Sequence, residues 1–210
     1  MKKFFLAPLL FFIAVSSFAQ KKAITETGDE VILYDDGTWK YIRDSLKNDT
    51  EIKTNPKDFK KNNASNFLLK STKFNVGVWI NPQKWSFKKA DDDGEGEYEM
   101  TLKGKDLYGM FISETIEAPL ETLRTIALEN AKSAAPDIRI IKEEYRKVNN
   151  IKVLFMQMNG TIKGIKFTYY GYYFSNEKGA LQFLTYTAQN LFDKYVAEME
   201  DLLNGLVQTE

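Results

Sequence analysis

Four successive strand-like segments between residues 138 and 187 constrain the fold of this chain more than any other feature of its sequence. Short turn signals separate them: Asn149-Asn150, then Asn159-Gly160, then the longer stretch 175–179. An Asn-Gly pair between apolar runs is the strongest local signal for a tight hairpin turn. The sequence therefore predicts an antiparallel meander whose strands span residues 138–147, 151–158, 161–174 and 180–187.

Two amphipathic segments can cover the predicted sheet, which carries apolar side chains on both of its faces over residues 151–158. The first segment follows Pro119, ends before Pro136 and carries an apolar stripe. The second spans 190–204 and precedes Gly205, a residue type that commonly ends a helix in the left-handed conformation. We therefore predict an α+β domain, in which an antiparallel sheet is covered by two helices. The stripe of the first helix consists of Leu120, Leu123, Ile126, Ala127, Ala131 and Ala134.

This domain is expected to span residues 65–210, with two smaller segments before it. Strand-like runs at 30–34 and 38–42 flank the turn Asp35-Asp36-Gly37 and predict a small β-hairpin within residues 20–42. Residues 43–64 are rich in Lys, Asn and Asp and contain few large apolar side chains. That composition predicts a polar linker.

The first 19 residues have the layout of a secretory signal peptide. Lys2 and Lys3 precede an apolar run, and Ser17 and Ala19 are the small residues expected before a cleavage point after Ala19. The apolar run is shorter than the roughly 20 residues of a membrane-spanning helix, which argues against the alternative of an uncleaved anchor. We expect an exported protein, periplasmic or extracellular, with no membrane anchor after cleavage. Because the chain has no cysteine, it is not expected to be a lipoprotein.

The composition excludes several classes of function. The chain has no cysteine and no histidine, which excludes disulfides, thiol nucleophiles, metal sites built on either residue and serine–histidine catalysis. Its 29 basic and 29 acidic residues leave no positive surplus for nucleic acid. Two carboxylate pairs remain as acid–base candidates, Glu114 with Glu117 and Glu143 with Glu144, but the adjacent Glu143 and Glu144 would point to opposite faces of a strand. A non-enzymatic protein without a cofactor is therefore expected.

Six aromatic residues are candidates for a ligand or partner surface, since an apolar ring with a polar edge suits such surfaces. They are Tyr169, Tyr170, Tyr172, Tyr173, Trp79 and Trp85. Strand alternation sends Tyr169 and Tyr173 to one face of the sheet, and Tyr170 and Tyr172 to the other. The two tryptophans flank a turn at Pro82. Packing in the core is the competing interpretation for all six residues.

An acidic stretch over residues 91–99 suggests a calcium loop, since calcium prefers oxygen ligands at alternating positions with a glycine at the sixth. Asp91, Asp93, Glu95 and Gly96 fit that spacing. Leu102, however, stands at the twelfth position, where a bidentate glutamate belongs. The competing interpretation is a solvated acidic turn between two strands.

Several short motifs, in their order along the chain, resemble one family. They are Asn81-Pro82-Gln83-Lys84-Trp85 after a strand, Pro119-Leu120 at a helix start, the meander segments 148–160 and 169–174, and Leu-Leu-Asn-Gly-Leu at 202–206. Over about 65–207 this pattern resembles the PsbP/DcrB-like superfamily. The resemblance implies an α-β-α sandwich and mostly non-enzymatic members that act as assembly, stabilising or binding factors. It supplies no catalytic motif to transfer.

Three functions follow as expectations. The first is an accessory or assembly factor that binds a protein partner in the cell envelope. The alternative is a carrier that holds a small apolar ligand between sheet and helix. The second alternative, which the residues favour least, is a carboxylate-dependent hydrolase.

Overall fold

The computed structural model of the protein describes residues 21–24, 30–35, 37–41, 52–91 and 96–210. Outside these residues lie the predicted signal peptide, residues 43–51 of the predicted linker, and the candidate calcium ligands Asp93 and Glu95. The described residues form two α-helices, α1 (Leu120–Ala134) and α2 (Phe192–Leu203), with a 3₁₀ turn, Gln189–Leu191, before α2. No helix among them is long and apolar enough to cross a membrane.

The strands of the described residues belong to three sheets. They are β1 (Lys21–Ile24), β2 (Glu30–Leu33), β3 (Trp39–Tyr41), β4 (Thr54–Phe59), β5 (Phe67–Lys70), β6 (Val76–Ile80), β7 (Trp85–Lys89), β8 (Tyr98–Leu102), β9 (Tyr108–Glu114), β10 (Arg139–Val148), β11 (Ile151–Ile162), β12 (Ile165–Asn176), β13 (Gly179–Ala188) and β14 (Leu206–Gln208).

An eight-stranded sheet forms the centre of the protein, in the order β4-β10-β11-β12-β13-β9-β8-β7. Its strands β10 to β13 are the predicted antiparallel meander. The sheet is mixed, however, because β4 pairs with β10 in parallel. The prediction of a purely antiparallel sheet is therefore corrected. Residues 54–59, which the composition placed in the polar linker, are instead a strand at the edge of the sheet. Pro56 is tolerated there because a proline in an edge strand can direct its missing N–H away from the neighbouring strand.

Two tight turns set the register of the meander. The first is Asn149-Asn150, as predicted, with φ of 45° and 72°; positive φ at both central residues is the geometry of a hairpin turn that matches strand twist. The second turn lies at Lys163-Gly164, with φ of 49° and 81°, so its prediction at Asn159-Gly160 was wrong. Gly160 is inside β11, where a Cβ would lie 3.0 Å from Cβ of Ile138. Glycine is there because Ile138 packs against the strand.

The two helices cover opposite faces of the central sheet. On one face, α1 buries Leu123 and Ala127 in a cluster with Leu154, Met156 and Tyr173. On the other face, α2 buries Met199 and Leu202 in the main core. A second sheet, in the order β14-β6-β5, joins the core on the α2 face and was not predicted. The layered α+β arrangement is thus confirmed in outline, and the structure adds a sheet to one of its outer layers.

The predicted N-terminal hairpin is present as β2 and β3, which pair antiparallel with Val31 opposite Tyr41. An additional strand, β1, extends it to three strands. Arg139 Nη1 lies 3.7 Å from Glu30 Oε1. This ion pair links the hairpin to the start of β10.

Candidate functional site

A cleft of about 420 Å³ lies between α1 and the central sheet. The sheet contributes apolar side chains from β9, β11 and β13, and α1 contributes Ala127 and Ala131. The apolar lining residues are Met110, Ile112, Ala127, Ala131, Met158 and Leu184. Polar side chains of Asn130, Ser133 and Gln182 also line it. Sites for small molecules typically have volumes of roughly 300–1,000 Å³, and the volume of this cleft lies within that range, with polar and apolar side chains in about equal number in its lining.

The position of α1 explains why the cleft exists. Two contacts fix the first half of the helix to the sheet: the Tyr145 hydroxyl donates to Glu121 at 2.6 Å, and Arg124 Nη2 donates to Glu143 at 2.9 Å. In the second half, Leu128 packs beside Met158 and Phe167, but the helix residues that face the sheet at the cleft are Ala127 and Ala131. Their methyl groups are too short to fill the space down to β11 and β13, so a cleft remains open there.

Tyr173 lines this cleft and differs from the other buried tyrosines. Its side chain is completely buried, and among the described residues its hydroxyl has no hydrogen-bond partner. Burial strongly raises the pKa of this hydroxyl, with a smaller contribution from Tyr169. The phenol therefore stays protonated and is available as a donor. Leaving such a group unpaired costs about 1–3 kcal/mol, so this hydroxyl requires an explanation.

The cleft has little charge for its size. Among the described residues that line it, Glu114 is the one charged residue. Lys73 lies beside that carboxylate, with Nζ 3.4 Å from Glu114 Oε1, and also donates to the Ser113 carbonyl at 2.7 Å. No lysine or arginine in the described part of the chain contributes to the lining itself.

Two of the six aromatic candidates, Tyr169 and Tyr173, line the cleft. Tyr170 and Tyr172 face the other side of the sheet, as alternation requires, and belong to the core under α2. There they contact Arg146. This arginine is 3% exposed, and its guanidinium carbon lies 3.8 Å from the Phe155 ring centre.

The polar groups around Arg146 satisfy one another. Arg146 Nε donates to Glu144 at 2.7 Å, and Nη1 donates to the Tyr172 hydroxyl at 3.2 Å. That hydroxyl donates in turn to Asn204 at 2.8 Å, and the Tyr170 hydroxyl donates to Glu200 at 2.7 Å. Burial raises the pKa of Tyr172 to about 12. A fully paired network of this kind holds α2 on the sheet and leaves no group to receive a ligand.

The two tryptophans lie away from the cleft. Trp85 is buried in the core on the α2 face. Trp79 is half-buried on β6, and Lys61 Nζ lies 5.3 Å from its ring centre. The main-chain N–H of Trp79 donates to the Gly205 carbonyl at 2.8 Å. These positions agree with packing roles.

The acidic stretch has one described member of the candidate calcium set. Asp91 follows β7 and pairs with Lys88 at 3.3 Å, while Asp93 and Glu95 lie outside the described residues. Within the described residues there is no group of three or more acidic side chains placed to hold a metal ion.

Glu97 lies within the acidic stretch and has a role that the sequence did not reveal. The interpretation as a solvated turn is wrong for this residue, since it is only 8% exposed. Its carboxylate accepts from the Ser71 hydroxyl at 2.6 Å, the Thr72 N–H at 2.6 Å and the Thr72 hydroxyl at 2.8 Å, and also from the Ser113 hydroxyl. Burial alone would raise the pKa of Glu97, but these hydrogen bonds lower it below its ordinary value.

Glu143 and Glu144 point to opposite faces, as predicted. Glu143 pairs with Arg124 on the α1 side, and Glu144 pairs with Arg146 on the α2 side. The two carboxylates therefore do not converge on a common substrate position. The signal that could have revealed the cleft was instead the change from large to small apolar residues along the stripe of α1.

Solved structures provide the comparison for this fold. Cyanobacterial PsbP (CyanoP) from Synechocystis sp. PCC 6803 is similar with a TM-score of 0.50 and 13% identity, over 70% of this chain and 94% of that chain. PA94 from Pseudomonas aeruginosa, a protein of unknown function, has a TM-score of 0.44 and 11% identity over 69% and 97% of the two chains. A protein from Bacteroides thetaiotaomicron VPI-5482 has a TM-score of 0.47 and 12% identity over 70% and 49%.

No family model and no curated protein matches this chain. At 13% identity, the similarity to cyanobacterial PsbP concerns the arrangement of the backbone and not the site. The resemblance predicted from the sequence is therefore confirmed at the level of the fold: this chain has a PsbP-like fold.

Proposed function

We propose that this protein is a non-enzymatic binding protein that holds a small, mostly apolar molecule in the cleft between α1 and the central sheet. The observation that carries the proposal is Tyr173, which lines this cleft and whose fully buried hydroxyl has no partner among the described residues. A bound molecule with a hydrogen-bond acceptor would satisfy that group. The protein-partner function expected first from the sequence becomes the second candidate.

The chemistry of the lining supports binding over catalysis. Acid–base catalysis usually needs two groups that converge on the reacting bond with matched pKa values. Glu114 is the one carboxylate among the described lining residues, and the chain contains no histidine or cysteine. Methionine side chains such as Met110 and Met158 adapt their shape to different ligands, which suits a carrier.

The N-terminal sequence supports a location outside the cytoplasm. We propose that the protein is exported, with cleavage after Ala19, and acts in the periplasm or outside the cell without a lipid anchor. Intact-mass measurement of the protein isolated from its own cells tests this, since cleavage removes residues 1–19. A full-length mass would contradict export by this route.

The binding proposal is tested by native mass spectrometry of protein gently purified from its own cells. The Ala131→Leu variant places a larger side chain in the cleft. The matched control is Ala134→Leu, since Ala134 is exposed on the same helix and does not line the cleft. We expect an additional small mass on the natural protein and on the control, and its loss from Ala131→Leu. A thermal unfolding curve establishes that each variant is folded.

The proposal is overturned if the natural protein carries no small molecule, or if both alanine variants retain it equally. The first result would leave the cleft without a resident ligand. The second would place the bound molecule elsewhere on the protein.

The second candidate, an accessory factor that binds another protein of the envelope, is favoured by one observation. Phe67 on β5 and Phe87 on β7 are 43% and 39% exposed, and their ring centres lie 5.5 Å apart. Aromatic residues are enriched in protein interfaces relative to the rest of the surface. In a chemical cross-linking experiment in intact cells, the double variant F67S/F87S should lose one specific cross-linked partner while Ala131→Leu retains it. Unchanged cross-linking of F67S/F87S would contradict this candidate.

A further inference from the structure

We infer that the ligand of the α1 cleft is an uncharged molecule with a long or bulky apolar part and a carbonyl or ether oxygen, and that the cleft discriminates against the corresponding anion. This inference rests on the proposed function and specifies the chemical class of its ligand. Three features of the lining lead to it: the unpaired donor, the absence of a cation among the described lining residues, and the division of apolar and polar side chains.

The donor is the Tyr173 hydroxyl. This O–H finds no acceptor among the described residues, so a ligand oxygen that accepts from it would satisfy its donor. In the structure the hydroxyl is covered by the side chains around it, so a ligand oxygen reaches it only when a neighbouring side chain moves. Met110 and Met158, which also line the cleft, have three rotatable side-chain bonds each and can make this adjustment at small cost.

The charge of the cleft excludes an anionic ligand. A carboxylate moved into an apolar site without a cationic partner loses its hydration and is strongly disfavoured. Glu114 is the charged group among the described lining residues, and it would repel a second carboxylate. Lys73 is close to the rim but already contacts Glu114 and the Ser113 carbonyl. An uncharged oxygen avoids both the loss of hydration of a carboxylate and its repulsion by Glu114.

The distribution of the lining side chains indicates how such a molecule lies. Ala127, Ala131 and Leu184 are buried, whereas Asn130 and Ser133 are exposed on α1 at the rim. The apolar part of the ligand would therefore lie between the alanines and the sheet. The amide of Asn130 and the hydroxyl of Ser133 could contact a second polar group at the opening.

A pair of probes with the same chain tests this inference: methyl decanoate, an uncharged ester, and decanoate, its anion. Binding is measured at pH 8 by displacement of the uncharged dye Nile red from the purified protein. We expect the ester to bind at least about tenfold more tightly than the anion, because the anion would enter without a cationic partner. Tyr173→Phe should weaken ester binding about threefold to tenfold, the range for one neutral hydrogen bond.

Two variants complete the experiment. Ala131→Leu should abolish ester binding, and Tyr108→Phe should leave it unchanged, because Tyr108 is exposed on β9 and does not line the cleft. Equal or tighter binding of decanoate, lost in Ala131→Leu, would overturn the ligand class and leave the proposed function standing. Failure of the ester to bind would also overturn the ligand class. The native mass spectrum described above decides the proposed function separately.

Discussion

Tyr172 and Tyr173 are neighbours on β12 and both are completely buried, but only the Tyr172 hydroxyl has hydrogen-bond partners among the described residues. The Tyr172 hydroxyl accepts from Arg146 and donates to Asn204, whereas the Tyr173 hydroxyl has no partner among the described residues. Because consecutive strand residues point to opposite faces, one hydroxyl lies under α2 and the other lies at the cleft beside α1. The α2 face is therefore organised for stability, and the α1 face contains the group that stability does not explain.

Substitution of the two tyrosines by phenylalanine should separate these roles. Tyr172→Phe leaves a donor of buried Arg146 and the oxygen of Asn204 without a partner, so we expect the free energy of unfolding to fall by about 1–3 kcal/mol. Tyr173→Phe removes an unpaired hydroxyl, so the ligand-free protein should be unchanged or more stable by up to about 1 kcal/mol. Urea unfolding of both variants measures this difference. An equal loss of stability in both would show that Tyr173 has a structural partner.

The parts of the fold that were predicted from the sequence depend on local signals. The meander and its Asn149-Asn150 turn follow from apolar runs and from residues that tolerate positive φ. The second turn was placed wrongly because Gly160 meets a tertiary requirement, the close approach of Ile138. The parallel pairing of Thr54 with Tyr145, and the pairing of Leu206 with Val78, join segments far apart in the chain, and no local pattern encodes them.

The candidate site was predicted in part for the same reason. Strand alternation placed Tyr169 and Tyr173 on one face correctly. The cleft itself depends on the distance between α1 and the sheet, and on the small size of Ala127 and Ala131 at that point. An apolar stripe predicts which face of a helix is buried, but it does not predict how completely the space beneath that face is filled.

Arg146 should be one of the largest single contributors to stability on the α2 face. Removing one member of a buried charged pair typically costs about 3–5 kcal/mol, because the partner remains buried without compensation. We expect Arg146→Met to destabilise the protein by about 3 kcal/mol, since the Tyr172 hydroxyl would lose its donor and Glu144 would lose its contact at 2.7 Å. Among the described residues, Glu144 would keep only Asn55 Nδ2 at 3.0 Å and Lys142 Nζ at 3.6 Å. Chemical unfolding of the variant measures the effect.

The control for this prediction is Arg124→Met on the opposite face. Arg124 and Glu143 are each partly exposed, with side chains 31% and 25% accessible, and such pairs contribute about 1 kcal/mol or less. A loss in Arg146→Met no larger than that in Arg124→Met would show that the aromatic rings, rather than the charge pairing, fix this region.

Glu97 should make the stability of the protein sensitive to acid. Its hydrogen bonds hold its folded-state pKa below the ordinary value of 4.5, so protonation favours the unfolded chain. The stabilisation is fully present above the unfolded-state pKa and is lost as the pH falls through the lower, folded-state pKa. We expect the stability difference between the natural protein and Glu97→Gln to be constant at pH 6–8 and to shrink below about pH 4.5.

Glu117→Gln provides the comparison, because Glu117 is exposed. Its stability difference from the natural protein should stay near zero over the same pH range. A difference for Glu97→Gln that does not change between pH 6 and pH 3 would mean that the Glu97 carboxylate is not the acid-sensitive group. Urea unfolding at each pH provides the measurement.

Gly205 should tolerate no side chain, because its main chain lies close to that of Trp79 and not because it ends a helix in the left-handed conformation. It follows α2 but is not among the described glycines with positive φ, so the expectation of a left-handed helix end was wrong. A Cβ at this position would lie 2.0 Å from the carbonyl oxygen of Trp79. The close approach lets the Gly205 carbonyl accept from the Trp79 N–H at 2.8 Å, which joins the end of α2 to β6.

Gly205→Ala should therefore reduce the free energy of unfolding by about 3 kcal/mol or more. The added Cβ is fixed to the main chain of residue 205 and meets a main-chain oxygen, so no side-chain rotation relieves the clash. Gly104→Ala is the matched control: Gly104 has a φ of 68° and no heavy atom within 4 Å of its added Cβ, so only backbone strain of about 1–2 kcal/mol is expected. Hydrogen exchange at the Trp79 amide should accelerate more in Gly205→Ala than the global loss of stability requires, because its acceptor is displaced. Equal destabilisation by the two substitutions, with Trp79 still protected, would show that α2 and β6 can separate slightly without loss of their connection.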